Sequence, residues 1–210
     1  YISYDNFNKF ISIFKNKKIG AIAESFPVEW NEKKIKYGNL GFKMVAYGTY
    51  YWFTYLKESF TLRKDNLLYV TNPNMFLTNI FRKKLYKKSL SLGDDFERTS
   101  EIKSQGFDIV IPIEEKYSRF KCIYNKIFIK DIIKQKIRTA VARKQLTSLG
   151  KSQGGFFSYF LPSTLFILKK SLKKGFFVGL YVTLWLCITA FGEVFSKFKK
   201  INTKEGWLMR

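Results

Sequence analysis

Catalysis in a protein chain starts from nucleophiles, bases and metal ligands, and the most versatile of these is missing here. The 210 residues contain no histidine. That removes a Ser-His-Asp or Cys-His nucleophile, an imidazole base, and His-ligated zinc or haem. The two cysteines, Cys122 and Cys187, are too far apart in sequence for a CxxC metal knuckle and too few for a disulfide framework. Cys122 lies in a basic stretch that favours a thiolate, but no base accompanies it. Asp94, Asp95, Glu97, Glu101 and the pair Glu114-Glu115 come nearest to an acid–base or metal cluster. In a basic chain, adjacent acids of this kind read as charge-balancing surface residues. Gly150-Lys151-Ser152 has the last residues of a phosphate-binding loop, but the pattern needs glycine at 145, where the chain has Gln145. Gly150 reads instead as the C-cap of a helix. The expectation is a chain that is not an enzyme and holds neither metal nor cofactor.

What remains is charge. Lys and Arg number 38 against 16 Asp and Glu, a formal charge of +22. At 46% hydrophobic and 19% aromatic the chain is too apolar for a disordered basic tail. Such a balance calls for a polyanionic counter-surface: RNA, DNA or anionic lipid. The charge is also uneven. Residues 1–115 hold 18 basic and 13 acidic residues, whereas residues 116–210 hold 20 and only three: Asp131, Glu193 and Glu205. The composition therefore predicts a mixed body over 1–115 and a strongly basic part over 116–210.

Within the basic part, Lys116–Lys151 carries eleven basic residues and one acid. Tyr117, Arg119, Phe120, Lys121, Tyr124, Lys126 and Lys130 interleave cations with flat rings, the combination that meets phosphates and stacks on bases. Ile129, Ile133, Ile137 and Val141, each four apart, predict an amphipathic helix over about 126–146, with Lys130, Lys134, Lys136, Arg138 and Arg143 largely off the apolar stripe. A second basic helix is predicted over Met75–Leu90, after the Asn72-Pro73-Asn74 turn signal. The candidate nucleic-acid contacts are thus Lys83, Lys84, Lys87, Lys88, Lys116, Arg119, Lys121, Lys126, Lys130, Lys134, Lys136, Arg138, Arg143 and Lys144.

The elements that must position these residues point to an α+β fold: a small, aromatic-rich mixed body with short strands, a basic amphipathic helix and an apolar C-terminal segment. Phe7, Phe10, Ile11 and Phe14 predict an amphipathic helix over Asn6–Lys15. Lys36–Leu56, rich in Tyr, Val, Thr, Trp and Phe and broken by Gly38, Gly41 and Gly48, reads as two or three short strands. Phe107–Ile113 reads as a strand, edge-like because of Pro112. Gly154–Leu168 is apolar but contains Pro162 and is too short to span a membrane.

Residues 175–192 run for eighteen positions without a charge, just reaching the length of a membrane-spanning helix. Lys169, Lys170, Lys173 and Lys174 precede the run, and Lys197, Lys199 and Lys200 follow it. The competing reading is protein core, as a buried helix or a pair of buried strands.

The basic residues are 31 lysines and only seven arginines, beside 22 Phe, 13 Tyr and 4 Pro. This skew resembles proteins encoded in the AT-rich mitochondrial genomes of protists such as ciliates, and most of all a mitochondrial ribosomal protein. The resemblance lies in composition and involves no family motif. Coding bias accounts for Lys over Arg but not for Lys over Glu. Lysine suits sequence-independent phosphate contact, whereas base reading favours bidentate arginine. The resemblance implies a structural constituent of a mitochondrial ribosome, in the matrix, with rRNA and neighbouring proteins as partners. The alternative is a single-span inner-membrane subunit of a respiratory or ATP-synthase complex, with lipid and complex subunits as partners. Residues 1–30 contain Asp5, Glu24 and Glu29 and no arginine, so they lack the character of an import presequence, which fits synthesis inside the organelle.

Overall fold

The computed structural model describes residues 4–23, 32–74, 78–87, 91–113, 126–151 and 156–198, and among these it contains seven α-helices and five strands. In order they are α1 (Tyr4–Ile13), β1 (Ile19–Ala23), α2 (Glu32–Tyr37), α3 (Leu40–Phe60), β2 (Thr61–Lys64), β3 (Leu67–Val70) and β4 (Thr78–Phe81). After them come α4 (Asp94–Ser104), β5 (Asp108–Pro112), α5 (Ile129–Ser148), α6 (Leu161–Lys174) and α7 (Phe176–Phe195). The fold is α+β. The chain divides into two units, one of Tyr1–Glu29, Leu56–Ser89 and Asp94–Ile123, the other of Trp30–Tyr55, Leu90–Gly93 and Tyr124–Arg210. The division expected near residue 115 thus needs correcting, because 30–55 belongs with the C-terminal part.

The first unit is built on a five-stranded sheet in the order β2-β3-β5-β1-β4. β1 and β5 are parallel and the other neighbours antiparallel. Ile109, Val110 and Ile111 are all fully buried, so both faces of β5 are covered and the strand lies in the middle of the sheet. The expected edge position is overturned because Pro112 is the last residue of the strand. There its missing N–H interrupts nothing, and the next donor, Ile113 N, reaches Asn66 O at 3.1 Å. Phe10 of α1 joins Ile19, Ile22 and Val110 in one apolar cluster.

The helix expected over Met75–Leu90 is absent where the chain is described. β4 occupies Thr78–Phe81, and a single 3-10 turn covers Lys83–Leu85. Backbone pairing explains the difference: Ile80 and Phe81 pair with Ile22 and Ala21, and Arg82 N donates to Gly20 O at 3.0 Å. The carboxylates Asp94, Asp95 and Glu97 fall in the first turn of α4, where a helix N-terminus favours negative charge.

In the second unit, α3 replaces the strands expected over Lys36–Leu56. Asn39 starts it as a cap, its Oδ1 accepting from Phe42 N at 3.0 Å while its Nδ2 donates to Ile127 O at 2.8 Å. Phe42, Met44, Ala46, Tyr51, Phe53 and Tyr55 are all buried, so α3 is a core helix covered on most sides. Its β-type residues fill volume rather than a pleated face, and the Thr49 and Thr54 hydroxyls donate to Val45 O and Tyr50 O one turn back. α5 runs close to its expected span. It ends with Gly150 N donating to Thr147 O and Lys151 N to Leu146 O, the paired bonds of a helix C-cap. Pro162 lies in the first turn of α6, where its fixed φ suits a helix.

Truncating Ile109 to Ala in the centre of β5 should cost about 2–5 kcal/mol in chemical denaturation. Leu62→Ala, on exposed β2, should stay within roughly 0.5 kcal/mol.

Candidate cationic and apolar surfaces

α5 and α7 pack against each other, and their contact sorts the basic residues. Trp185 is the tenth of the twenty residues of α7 and is buried with Met44 and Ile132. The close approach depends on glycine: a Cβ at Gly48 would lie 2.4 Å from the Trp185 ring, and one at Gly192 would lie 2.9 Å from Lys136. Tyr47 and Tyr181 stack at 6.1 Å.

Two of the candidate contacts are turned into this packing. Lys136 places its Nζ 3.5 Å from the centre of the Trp185 ring. Burial holds its ammonium well below the usual lysine range, and the positive Arg143 nearby adds to the effect. Arg143 pairs with Glu193 of α7 and lies 5.1 Å from the Phe160 ring. Burial pulls its pKa down to about 10, against a raising influence from Tyr159. Lys136 and Arg143 are therefore intramolecular residues in this fold, a correction to their placement among the outward contacts.

Lys126, Lys130, Lys134 and Lys144 remain exposed, and Arg138 is half-buried. Lys130 and Lys134 are one helical turn apart, about 6 Å, a spacing that suits neighbouring phosphates. In the first unit, Lys83 and Lys84 are exposed, with Lys84 4.9 Å from the Phe107 ring, and Lys87 pairs with Glu101. Lys88, Lys116, Arg119 and Lys121 lie outside the described residues, as do the rings Tyr117, Phe120 and Tyr124. Arg82 is structural: it donates from Nε to Ile19 O at 2.8 Å and from one terminal nitrogen to Phe14 O at 2.8 Å and Asn16 O at 3.1 Å. Among the described residues no three Cys, Asp or Glu side chains converge on a possible metal position.

The stripe expected to seat α5 is only half used. Ile137 and Val141 are buried, but Ile129 is exposed and Ile133 half-buried. Ile132, Ala140, Ala142 and Leu146 complete the buried set, so the helix is gripped on more than one side. Residues 175–192 form the helix α7 rather than strands. It is long and apolar enough to cross a membrane, yet only 22% of its most apolar eighteen-residue stretch is buried. That is not the burial of a core helix. Its threonine hydroxyls are satisfied internally: Thr183 donates to Gly179 O at 2.9 Å and Thr189 to Trp185 O at 2.8 Å.

No protein-family model matches the chain, and neither curated proteins nor solved structures include a match.

Lys136→Met should raise the denaturation midpoint at neutral pH. Because the folded-state pKa is depressed, the unfolded chain holds a proton that the folded chain sheds. Wild-type stability should therefore gain from Lys136 as pH rises toward the ordinary lysine value near 10.5, and the Met variant should lack that gain. Glu193→Gln, which leaves Arg143 without its counter-charge, should cost about 1–3 kcal/mol. Thermal unfolding across pH checks both.

Proposed function

We propose that the chain is a non-catalytic structural constituent of a mitochondrial ribosome, in the matrix, contacting rRNA phosphates through Lys126, Lys130, Lys134 and Lys144. Support comes from a lysine-dominated surface on a helix whose remaining basic residues are either half-buried or engaged internally. Lysines on an ordered helix make point contacts with phosphate without reading sequence. The basic stretch that continues back toward Lys116 extends the same charge. Neighbouring proteins of the assembly are the other partners in this reading.

The seating of α5 is the observation that favours this reading over a spanning membrane subunit. Ile132 packs with Trp185 at the midpoint of α7, and Lys130 and Lys134 flank Ile132 in sequence, both exposed. Were α7 to cross a bilayer in this arrangement, those two lysines would sit near the depth of its centre. At about 2.5–3.5 kcal/mol each, before snorkelling, the penalty is roughly 5–7 kcal/mol. The spanning reading keeps the length and apolarity of α7 in its favour but meets this cost.

RNA affinity should fall steeply between low and moderate salt, and the variant K130E/K134E/K144E should flatten the log–log salt slope by about 2–3. A slope unchanged by the three substitutions would refute the assignment of those lysines. Alkaline carbonate should release the protein from organelle membranes; retention in the pellet would favour the spanning subunit.

A further inference from the structure

α7 carries a surface that RNA contact does not use. Phe177, Leu180, Leu184, Phe191 and Val194 are exposed and recur at intervals of three, four or seven along one side of the helix, with exposed Cys187 among them. From Phe177 to Val194 the stripe runs about 25 Å. It contains no charge. The only acid of α7, Glu193, is turned to Arg143 and so adds no negative charge to this side. Lysines stand at both ends: Lys169, Lys173 and Lys174 are exposed on α6 just before the stripe, and Lys197 is exposed just after it. An exposed apolar face of this length marks a contact surface.

We infer that this face of α7 lies flat on an anionic lipid surface, its apolar stripe in the acyl boundary and the flanking lysines among the headgroup phosphates. The charge pattern selects that occupant over another protein. An apolar helix from a partner would be matched by the stripe alone, whereas cations confined to the two ends match a layer that is apolar inside and negative at its boundary. A helix lying in the interface, unlike one that spans, buries only one side. That leaves α5 and its exposed lysines on the side of α7 away from the hydrocarbon. The inference is independent of RNA binding, because it uses different residues.

Flotation of the full chain tests it, with vesicles of phosphatidylcholine alone or mixed with phosphatidylglycerol. The chain should rise with the anionic vesicles and bind neutral ones more weakly. F177E/F191E changes two exposed positions and should lower binding by about tenfold or more, and K173Q/K174Q/K197Q should weaken it and remove its dependence on phosphatidylglycerol. K130E/K134E/K144E should still float, which separates failure of this inference from failure of the RNA reading. An environment-sensitive fluorophore on Cys187, in a Cys122→Ser background, should shift to the blue with vesicles, a readout that does not require the glutamate variant to fold. A chain that stays in the dense fraction, or a glutamate variant that floats like the wild type, would overturn the inference. So would a dimer that F177E/F191E dissolves in a chain that does not bind vesicles, since the face would then belong to a second copy.

Discussion

The second unit depends on bringing a charged helix against an apolar one. Trp185 makes this possible: Gly48 leaves room for its ring, and the Lys136 Nζ lies 3.5 Å from the centre of the same ring. Arg143 is placed by the same packing, with Glu193 as its counter-charge. A buried cation is costly without a partner: Arg143 has the Glu193 carboxylate, and burial makes the Lys136 amine easier to deprotonate. With those groups turned inward, the outer lysines of α5 and the uncovered side of α7 become separate surfaces.

That separation changes the meaning of the +22 charge. Part of it is consumed inside the fold: Arg82 ties together the chain around Ile19, Phe14 and Asn16, Lys87 meets Glu101, and Lys103 comes within 3.7 Å of Asp108. The first unit, built on the sheet, is accordingly only mildly basic, with 17 basic against 12 acidic residues. The net positive surface concentrates in the second unit, where few acids offset it. Exposed lysines on α5 and the uncovered apolar side of α7 are different residues, so the proposed polyanion and lipid contacts would not compete for them.

Elements with a clean local signal were legible in the sequence. α1 and α5 follow their 3.6-residue periodicity and the Gly150 cap ends α5, whereas the uncharged run at 175–192 left helix and strand pair open until the structure showed one helix. α3 was not legible, because its aromatic and β-branched residues have the same local preference in a strand and in a helix buried on most sides; context decides between them. β4 failed for the converse reason. Its residues alternate poorly, but β1 offers an open edge that pays in backbone hydrogen bonds.

The sequence by itself determined the absence of imidazole chemistry, the concentration of positive charge from residue 116 on, and an uncharged run of eighteen residues that just reaches membrane-spanning length. These depend only on which residues are present and how they are spaced along the chain. The tertiary structure decided which cations face outward, that β5 is central rather than at an edge, and that α7 keeps one side uncovered. Such properties belong to pairs of residues distant in sequence, such as Gly48 with Trp185, Lys136 with Gly192 and Arg143 with Glu193. Helical periodicity places a side chain around its own axis, but only the packing of a second helix determines whether that side is solvent or core.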